Sequence, residues 1–233
     1  EGLLVKDAGE RTGRVPGEKP SWHDEYMAKL CSADQAAQLV KSGERVYLGG
    51  GTGIPAAFAN SLGRRSEEIH DITIFQGYAM GLYEYMKPEH RKSFHIETMF
   101  VGPMERVCME WGVAHYVPVH LSDLAPMAAR IHCDKVAFVA TPPDENGWMN
   151  RSCFGSFLPK NECLMAGDVR IVEINKNAPW LISEDFKIHI SQVHHIIEND
   201  APMFELPEIT ITDVEKKMAE HIAELIPDGS CIQ

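Results

Sequence analysis

Short apolar runs separated by amphipathic stretches recur along most of the chain. The run Lys135–Ala140 is almost continuously apolar, which is typical of a strand that helices cover on both faces. Strand-like runs of this kind are predicted at Val46–Leu48, Ile72–Phe75, His95–Val101, Ala114–Val117, Lys135–Ala140, Val169–Ile174 and Val193–Ile197.

Helical patterns lie between these strands. The first begins at a capping box, Ser32 with Gln35, and stops before Ser42-Gly43. The other predicted helices are Ile54–Leu62, Met104–Trp111, Leu121–Ile131 and Pro159–Ala166. This alternation predicts an α/β fold with an open, mostly parallel sheet and helices on both faces. Ligands bind such sheets at the carboxyl ends of the strands.

A glycine-rich loop follows the first predicted strand. Arg45–Phe58 reads RVYLGGGTGIPAAF, which predicts a strand, a loop and a helix in succession. Glycines allow positive φ and a close approach to the backbone N–H groups, and Pro55 suits a first helical turn. The loop therefore favours an oxygen-rich or anionic ligand, although a tight turn without a ligand needs the same glycines.

The loop and its neighbouring residues lack features that two nucleotide-binding motifs require. Gly51–Ala56 fits the relaxed dinucleotide pattern, but the next strand ends in Gln76-Gly77 where a ribose-binding acid is expected. No Gly-Lys-Ser or Gly-Lys-Thr follows the glycines, so the lysine of a nucleotide-binding P-loop is missing. These differences weaken an NAD-binding interpretation and exclude nucleotide hydrolysis.

Charge and composition narrow the function classes further. The 233 residues carry a formal net charge of −12, and basic residues form only isolated pairs. So acidic a chain is not expected to bind nucleic acid or an anionic membrane surface. No run approaches a membrane span, and the start lacks the pattern of a signal peptide. We expect a cytoplasmic protein.

The scattered cysteines and histidines show no metal or disulfide spacing. Six cysteines occur without a C-x-x-C pair, and neither His194-His195 nor His115 with His120 has convincing ligand spacing. Cys153 lies in a loop without a neighbouring base, so it is a poor candidate nucleophile. The sequence predicts no metal site.

The two ends of the chain differ from its middle. Residues 1–21 mix charge, Gly and Pro without apolar periodicity, which predicts a mobile leader. Residues 22–211 form the predicted α/β domain. In residues 212–233, a capping box at Thr212, an amphipathic helix and a turn repeat the layout of Ser32–Leu48, and the start of a strand is expected at Ser230. This repeat predicts that residues 212–233 open a second, truncated domain.

Four segments together resemble a known family. They are Tyr47–Pro55 (YLGGGTGIP), Thr141–Gly147 (TPPDENG), Glu173–Pro179 (EINKNAP) and Ile188–Ser191 (IHIS). In this order they resemble the acetyl-CoA hydrolase/transferase family, which includes 4-hydroxybutyrate CoA-transferase and butyryl-CoA:acetate CoA-transferase. The resemblance covers residues 29–233 and implies a CoA-transferase-like fold of two repeated α/β domains.

The resemblance also implies a reaction and its participants. Coenzyme A would pass from an acyl-CoA to a short carboxylic acid through a glutamyl-CoA thioester, with coenzyme A as a substrate and no tightly bound cofactor. The family's glutamate lies in the C-terminal domain, so no catalytic residue is expected here. Gly50, Gly51 and Thr52 are expected to face the substrate oxygen, and Gln233 is expected to border the acyl site.

Alternatives to this assignment stay open at this stage. Four glutamates are candidates for a substitute nucleophile: Glu84, Glu97, Glu105 and Glu173. Glu97 and Glu173 are better explained as partnered or rim carboxylates, and none of the four matches the family's position. Pro143, Asp144, Asn146 and Gly147 favour a turn, and the bulky Trp148–Arg151 segment after it is expected to reshape the acyl pocket. The chain is alternatively a phosphosugar- or acyl-ligand-sensing module, or one subunit of a split transferase. An uncovered cleft face would favour a homodimer.

Overall fold

The computed structural model describes residues 21–153, 167–205 and 208–232. One compact unit extends to Met203 and a second begins at Phe204. The strands are β1 (Arg45–Leu48), β2 (Ile72–Gln76), β3 (Phe94–Thr98), β4 (Ala114–Tyr116), β5 (Lys135–Ala140), β6 (Trp148–Asn150), β7 (Val169–Ile174), β8 (Lys187–His189) and β9 (His195–Glu198). The helices are α1 (Trp22–Lys29), α2 (Ala33–Ala37), α3 (Ala56–Gly63), α4 (Pro103–Glu110), α5 (Leu124–Arg130) and α6 (Asp213–Glu224).

Seven of the strands form one sheet in the order β4-β3-β2-β1-β5-β7-β9. Every neighbouring pair in this sheet is parallel. Strands β6 and β8 form a separate antiparallel pair. The predicted open, parallel α/β sheet is therefore confirmed.

Hydrophobic cores lie on both faces of the sheet. Along β1, Val46 and Leu48 belong to the core that includes α2, α3 and α4 residues. Tyr47, between them, belongs to the opposite core, which includes Tyr26 of α1 and Leu124 of α5. Neighbouring strand residues point to opposite faces, so the continuous apolar runs of the sequence fill both cores.

Three local features differ from the sequence prediction. Helix α1 was not predicted; Ser21 and Asp24 form a capping box at its start. Strand β6 lies in a segment interpreted as loop, because its partner β8 is distant in sequence. Strand β3 ends at Thr98, three residues early, because the Thr98 hydroxyl donates to the Phe100 carbonyl at 2.8 Å and turns the chain.

The second compact unit contains α6. Its start is as predicted, with the Thr212 hydroxyl accepting from the Glu215 N–H. Residues 230–232 are not in a strand, contrary to the expected strand start, because no segment of the described chain pairs with them. The predicted helix Pro159–Ala166 and Gln233 lie outside the described residues. Within the described ranges, no helix is both long and apolar enough to span a bilayer.

Candidate functional site

The candidate site lies at the carboxyl edge of the parallel sheet. Strands β1 and β5 are neighbours there, while the chain runs from β1 toward β4 in one direction and from β5 toward β9 in the other. This is the point where the strand order reverses, and open α/β sheets bind ligands at such points. The glycine loop that follows β1 occupies it.

The glycine loop is anchored to β5 and folded back on itself. The Gly49 N–H donates to Ala137 O at 3.3 Å, and the Val139 N–H donates to Gly53 O at 3.1 Å. A Cβ on Gly49 would lie 2.7 Å from Gly53 O, and Gly51 has a φ of +55°. Both expected uses of glycine, close backbone approach and positive φ, are therefore present.

Two N–H groups of the glycine loop already donate to backbone carbonyls of this chain. The Gly51 N–H donates to Tyr78 O at 2.5 Å, and the Gly53 N–H donates to Gly50 O at 2.9 Å. Gly51 is therefore not a free donor, whereas the sequence placed it among the donors. Its contribution to the site is the shape of the loop.

Gly50 and Thr52 provide the donors that the loop does not use. Neither N–H group donates a hydrogen bond within the described residues. The Thr52 hydroxyl oxygen is buried and has no hydrogen-bond partner there. Buried polar groups are normally paired, so these donors favour an acceptor from a ligand or from chain outside the described ranges.

Glu173 fixes the helix that follows the loop. This buried residue near the end of β7 accepts from the Phe58 N–H at 3.0 Å and the Ala57 N–H at 3.3 Å, at the start of α3. Its carboxylate also accepts from Asn199 Nδ2 at 2.7 Å. Burial raises the pKa of Glu173, although these hydrogen bonds oppose the shift. The residue is therefore a structural carboxylate, as its place at a strand end predicts.

Glu105 has the same role for two neighbouring loops. It is fully buried in α4, and its carboxylate accepts from the Ala79 N–H at 2.7 Å and the Gly102 N–H at 3.0 Å. Gln76 Nε2 lies 3.5 Å from the same carboxylate, and the Tyr85 hydroxyl donates to Gln76 Oε1. Burial raises the pKa of Glu105. Sequence reasoning treats Glu105 only as a substitute nucleophile and misses this network, whose local signal is the polar Gln76 at the end of an apolar strand.

The other two glutamates offer no nucleophile at the site. Glu84 forms an ion pair with Lys87 at 2.6 Å, and its other carboxylate oxygen lies 3.2 Å from His90 Nε2. Glu97 is half-buried in β3, and its carboxylate makes no hydrogen bond within the described residues.

The Thr141–Gly147 segment forms the expected turn. Asp144 Oδ1 accepts from the N–H groups of Asn146 and Trp148, each at 2.9 Å. Gly147 has a φ of +82°, and an added Cβ would meet the Trp22 side chain. The following Asn150 and Arg151 are buried, and the Arg151 guanidinium donates to Asp185 O. These contacts are made within the domain, so they do not support the expectation that the Trp148–Arg151 segment reshapes the acyl pocket.

A group of potential metal ligands lies at the opposite edge of the sheet. His132, Asp134 and Asp168 bring ligand atoms within 4.8 Å of one another near the amino ends of β5 and β7. His132 already contacts Asp168 at 3.3 Å, and Asp134 accepts from the Arg45 N–H at 2.7 Å. The contacts explain the grouping without a metal, and it is remote from the glycine loop.

Comparisons with known proteins agree with this geometry. The model of the acetyl-CoA hydrolase/transferase N-terminal domain matches residues 16–206. The chain is 31% identical over 221 residues to succinyl-CoA:cyclohexane-1-carboxylate CoA transferase of Geobacter metallireducens, covering 94% of this chain and 49% of that protein. It is 31% identical over 225 residues to butyryl-CoA:acetate CoA-transferase of Anaerostipes caccae, covering 91% and 49%.

A solved structure shows the same fold. RipA from Yersinia pestis matches with a TM-score of 0.82 at 24% identity, covering 90% of this chain and 51% of that one. The chain spans about half the length of the curated relatives it matches. Together with the match to residues 16–206, this shows that the chain belongs to the acetyl-CoA hydrolase/transferase family and corresponds to its N-terminal domain.

Proposed function

We propose that the chain is the N-terminal domain of an acyl-CoA:carboxylate CoA-transferase for acyl groups of the 4-hydroxybutyrate, butyrate or acetate type. Family membership and the CoA-transferase names of the relatives support this function. The structural observation that carries it is the glycine loop at the strand-order reversal, where Gly50 and Thr52 offer unused donors. Such donors suit an oxygen that gains negative charge during acyl transfer.

The proposed reaction transfers coenzyme A through an acyl-glutamyl anhydride and a glutamyl-CoA thioester. A glutamate carboxylate attacks the acyl-CoA carbonyl, which gives an acyl-glutamyl anhydride and releases the CoA thiolate. The thiolate then attacks the glutamyl carbonyl, which forms a glutamyl-CoA thioester and releases the first carboxylic acid as its carboxylate. The second carboxylate repeats these steps in reverse order and leaves as the new acyl-CoA. A carboxylate nucleophile of this kind conserves the thioester energy on the protein.

This domain would bind and polarise the acyl oxygen. The Gly50 and Thr52 N–H groups and the Thr52 hydroxyl would donate to the carbonyl or carboxylate oxygen, which becomes more negative as the tetrahedral species forms. Fixed donors need little rearrangement at that moment, because Glu173 and Glu105 already hold the surrounding loops. Coenzyme A is a substrate here, and we propose no tightly bound cofactor.

The remaining parts of the proposal lie outside the described residues. We place the nucleophilic glutamate in a C-terminal catalytic domain, because the chain spans about half of its relatives. Gln233 would border the acyl site, and the protein would act as a homodimer. We propose the cytoplasm as its location, since the five cysteines that the structure describes are free thiols.

Substitution of Thr52 tests the role of the loop. The assay is CoA exchange between butyryl-CoA and labelled acetate, with this chain joined to the second half that its relatives possess. Thr52→Val removes the hydroxyl at similar volume and is expected to lower kcat by about 10²-fold with little change in KM. Thr52→Ser keeps the hydroxyl and is expected to retain most of the rate. An unchanged kcat in Thr52→Val would remove the hydroxyl from the mechanism.

A further inference from the structure

Ser152, two residues after the end of β6, combines two unfavourable features. Its φ is +53°, in the left-handed region that residues with a side chain seldom adopt. The residue is 3% exposed, and its hydroxyl oxygen is buried with no hydrogen-bond partner within the described residues. Strained backbone and unpaired buried polar groups both lower stability, and they are typical of residues that a function requires.

Local turn chemistry does not explain Ser152 as it explains Asp71. Among the described residues, Asp71 is the other non-glycine residue with positive φ, at +57°. Asp71 is exposed, and its carboxylate lies 2.7 Å from His70 Nδ1. Aspartate is also one of the residues that tolerate this backbone region. Ser152 has neither an exposed side chain nor a partner for it among the described residues.

Backbone contacts on both sides hold Ser152 in this conformation. The Ser152 N–H donates to Asn150 Oδ1 at 2.9 Å, and Asn150 Nδ2 in turn donates to Leu181 O at 2.9 Å. The Arg151 N–H donates to Phe186 O at 2.9 Å. The hydroxyl is therefore carried by a fixed backbone and needs little rearrangement to meet an acceptor.

The end of β6 lies along the same edge of β5 as the glycine loop. The Val139 N–H donates to Gly53 O at 3.1 Å, and two residues later the Thr141 N–H donates to Asn150 O at 2.8 Å. Alternate residues of a parallel strand direct their N–H groups to the same side. Gly53 and Asn150 therefore occupy successive positions on this edge, roughly 7 Å apart along β5.

Two buried hydroxyls are thereby placed in adjacent segments at the carboxyl end of β5. Thr52 directly precedes Gly53, and Ser152 follows Asn150 by two residues. Neither hydroxyl oxygen has a hydrogen-bond partner within the described residues. A carboxylate has two acceptor oxygens, and hydroxyl donors suit both of them. The pair of hydroxyls therefore suits a carboxylate better than a ligand with one oxygen.

We propose that the Ser152 hydroxyl binds the carboxylate of the acceptor acid, on the oxygen that the glycine loop does not hold. The assignment rests on the proposed function, because it takes the Gly50 and Thr52 donors as the site of the reacting oxygen. In an acyl-CoA the second oxygen is replaced by the thioester sulfur, which is a weak acceptor. Ser152 would therefore contribute to binding of the free acid and little to binding of the thioester.

Titration of the 233-residue chain with butyrate, followed by backbone amide NMR, tests this contact without coenzyme A. We expect butyrate to shift the amide signals of Thr52 and Ser152. Ser152→Ala should weaken butyrate binding by about tenfold or more, because it removes a hydrogen bond to a charged group. Asp71→Gly is the matched control: Asp71 precedes β2 at the opposite edge of the sheet, and its substitution should leave the affinity unchanged.

Ser152→Gly separates a role in binding from a role in folding. Glycine removes the buried hydroxyl and the left-handed strain together, so we expect Ser152→Gly to raise Tm by about 2–4 °C. It should weaken butyrate binding as much as Ser152→Ala does. A residue with a purely structural role would not combine higher stability with weaker binding. The NMR spectra also show whether each variant is folded.

Unchanged butyrate affinity in Ser152→Ala, or a lower Tm in Ser152→Gly, would overturn the proposal. CoA exchange by the chain joined to the second half separates this proposal from the proposed function. There Ser152→Ala should raise KM for acetate about tenfold with little change in KM for butyryl-CoA, and equal rises in both would contradict the assignment. If the joined wild type binds butyrate through Ser152 but catalyses no exchange, only the proposed function is wrong. If it catalyses exchange that Ser152→Ala leaves unchanged, only this inference is wrong.

Discussion

Removing the Glu173 carboxylate should destabilise the domain and loosen the helix that follows the glycine loop. Glu173 is 2% exposed and accepts from Phe58 N, Ala57 N and Asn199 Nδ2 at 3.0, 3.3 and 2.7 Å. In Glu173→Ala these donors lose a buried acceptor. Each unsatisfied donor costs about 1–3 kcal/mol, and relaxation offsets part of the sum, so we expect a total loss of about 3–5 kcal/mol.

The isosteric variant separates the hydrogen bonds from the packing. Glu173→Gln fills the same volume, but its amide nitrogen cannot accept, so at least one of the three donors loses its partner. We expect Glu173→Gln to cost about 1–3 kcal/mol. For a domain of this size, each kcal/mol corresponds to about 2–4 °C in Tm.

Urea unfolding followed by circular dichroism measures these losses, with Glu97→Gln as the control. Glu97 is a half-buried strand glutamate whose carboxylate makes no hydrogen bond among the described residues, so its variant should stay within about 0.5 kcal/mol of the wild type. A loss below 1 kcal/mol in Glu173→Ala, or equal losses in Glu173→Gln and Glu97→Gln, would refute the assignment of Glu173 as the carboxylate that holds α3.

Three further predictions follow from the same structure. Burial raises the pKa of Glu173 above its ordinary value of 4.5. The stability advantage of the wild type over Glu173→Gln should therefore be largest below about pH 4.5 and shrink as pH rises through the raised pKa. Urea unfolding at several pH values measures this difference, and a difference that widens with pH would contradict the prediction. Gly51→Ala should cost about 1–2 kcal/mol in urea unfolding, because Gly51 has a φ of +55°; no loss would contradict the loop geometry. Burial raises the pKa of Cys108 to about 11 and of Cys133 to about 12. At pH 8, exposed Cys231 should therefore be alkylated at least tenfold faster than these two buried cysteines, as measured by peptide mass spectrometry. Equal alkylation rates would contradict the burial of Cys108 and Cys133.

The sequence predicted the sheet well because its signal is local. Each buried parallel strand appears as a short apolar run, and alternation with helical patterns is sufficient to indicate the fold class. The glycine loop was predictable for the same reason, since positive φ at Gly51 and close approach at Gly49 require glycine wherever they occur.

Long-range contacts explain what the sequence did not reveal. Glu173 caps α3 across 115 residues, and β6 pairs with β8 although no turn connects them directly. The sequence also did not reveal which N–H groups of the glycine loop are free, because the Gly51 N–H donates to Tyr78 O on a neighbouring loop.

CoA exchange between butyryl-CoA and labelled acetate tests directly whether this domain lacks the nucleophilic glutamate. The 233-residue chain alone is compared with the same chain joined to the second half that its relatives possess. We predict exchange only in the longer protein, with a covalent glutamyl-CoA thioester in the second half. Exchange catalysed by the 233-residue chain alone would contradict it and would place the nucleophile among the residues of this domain.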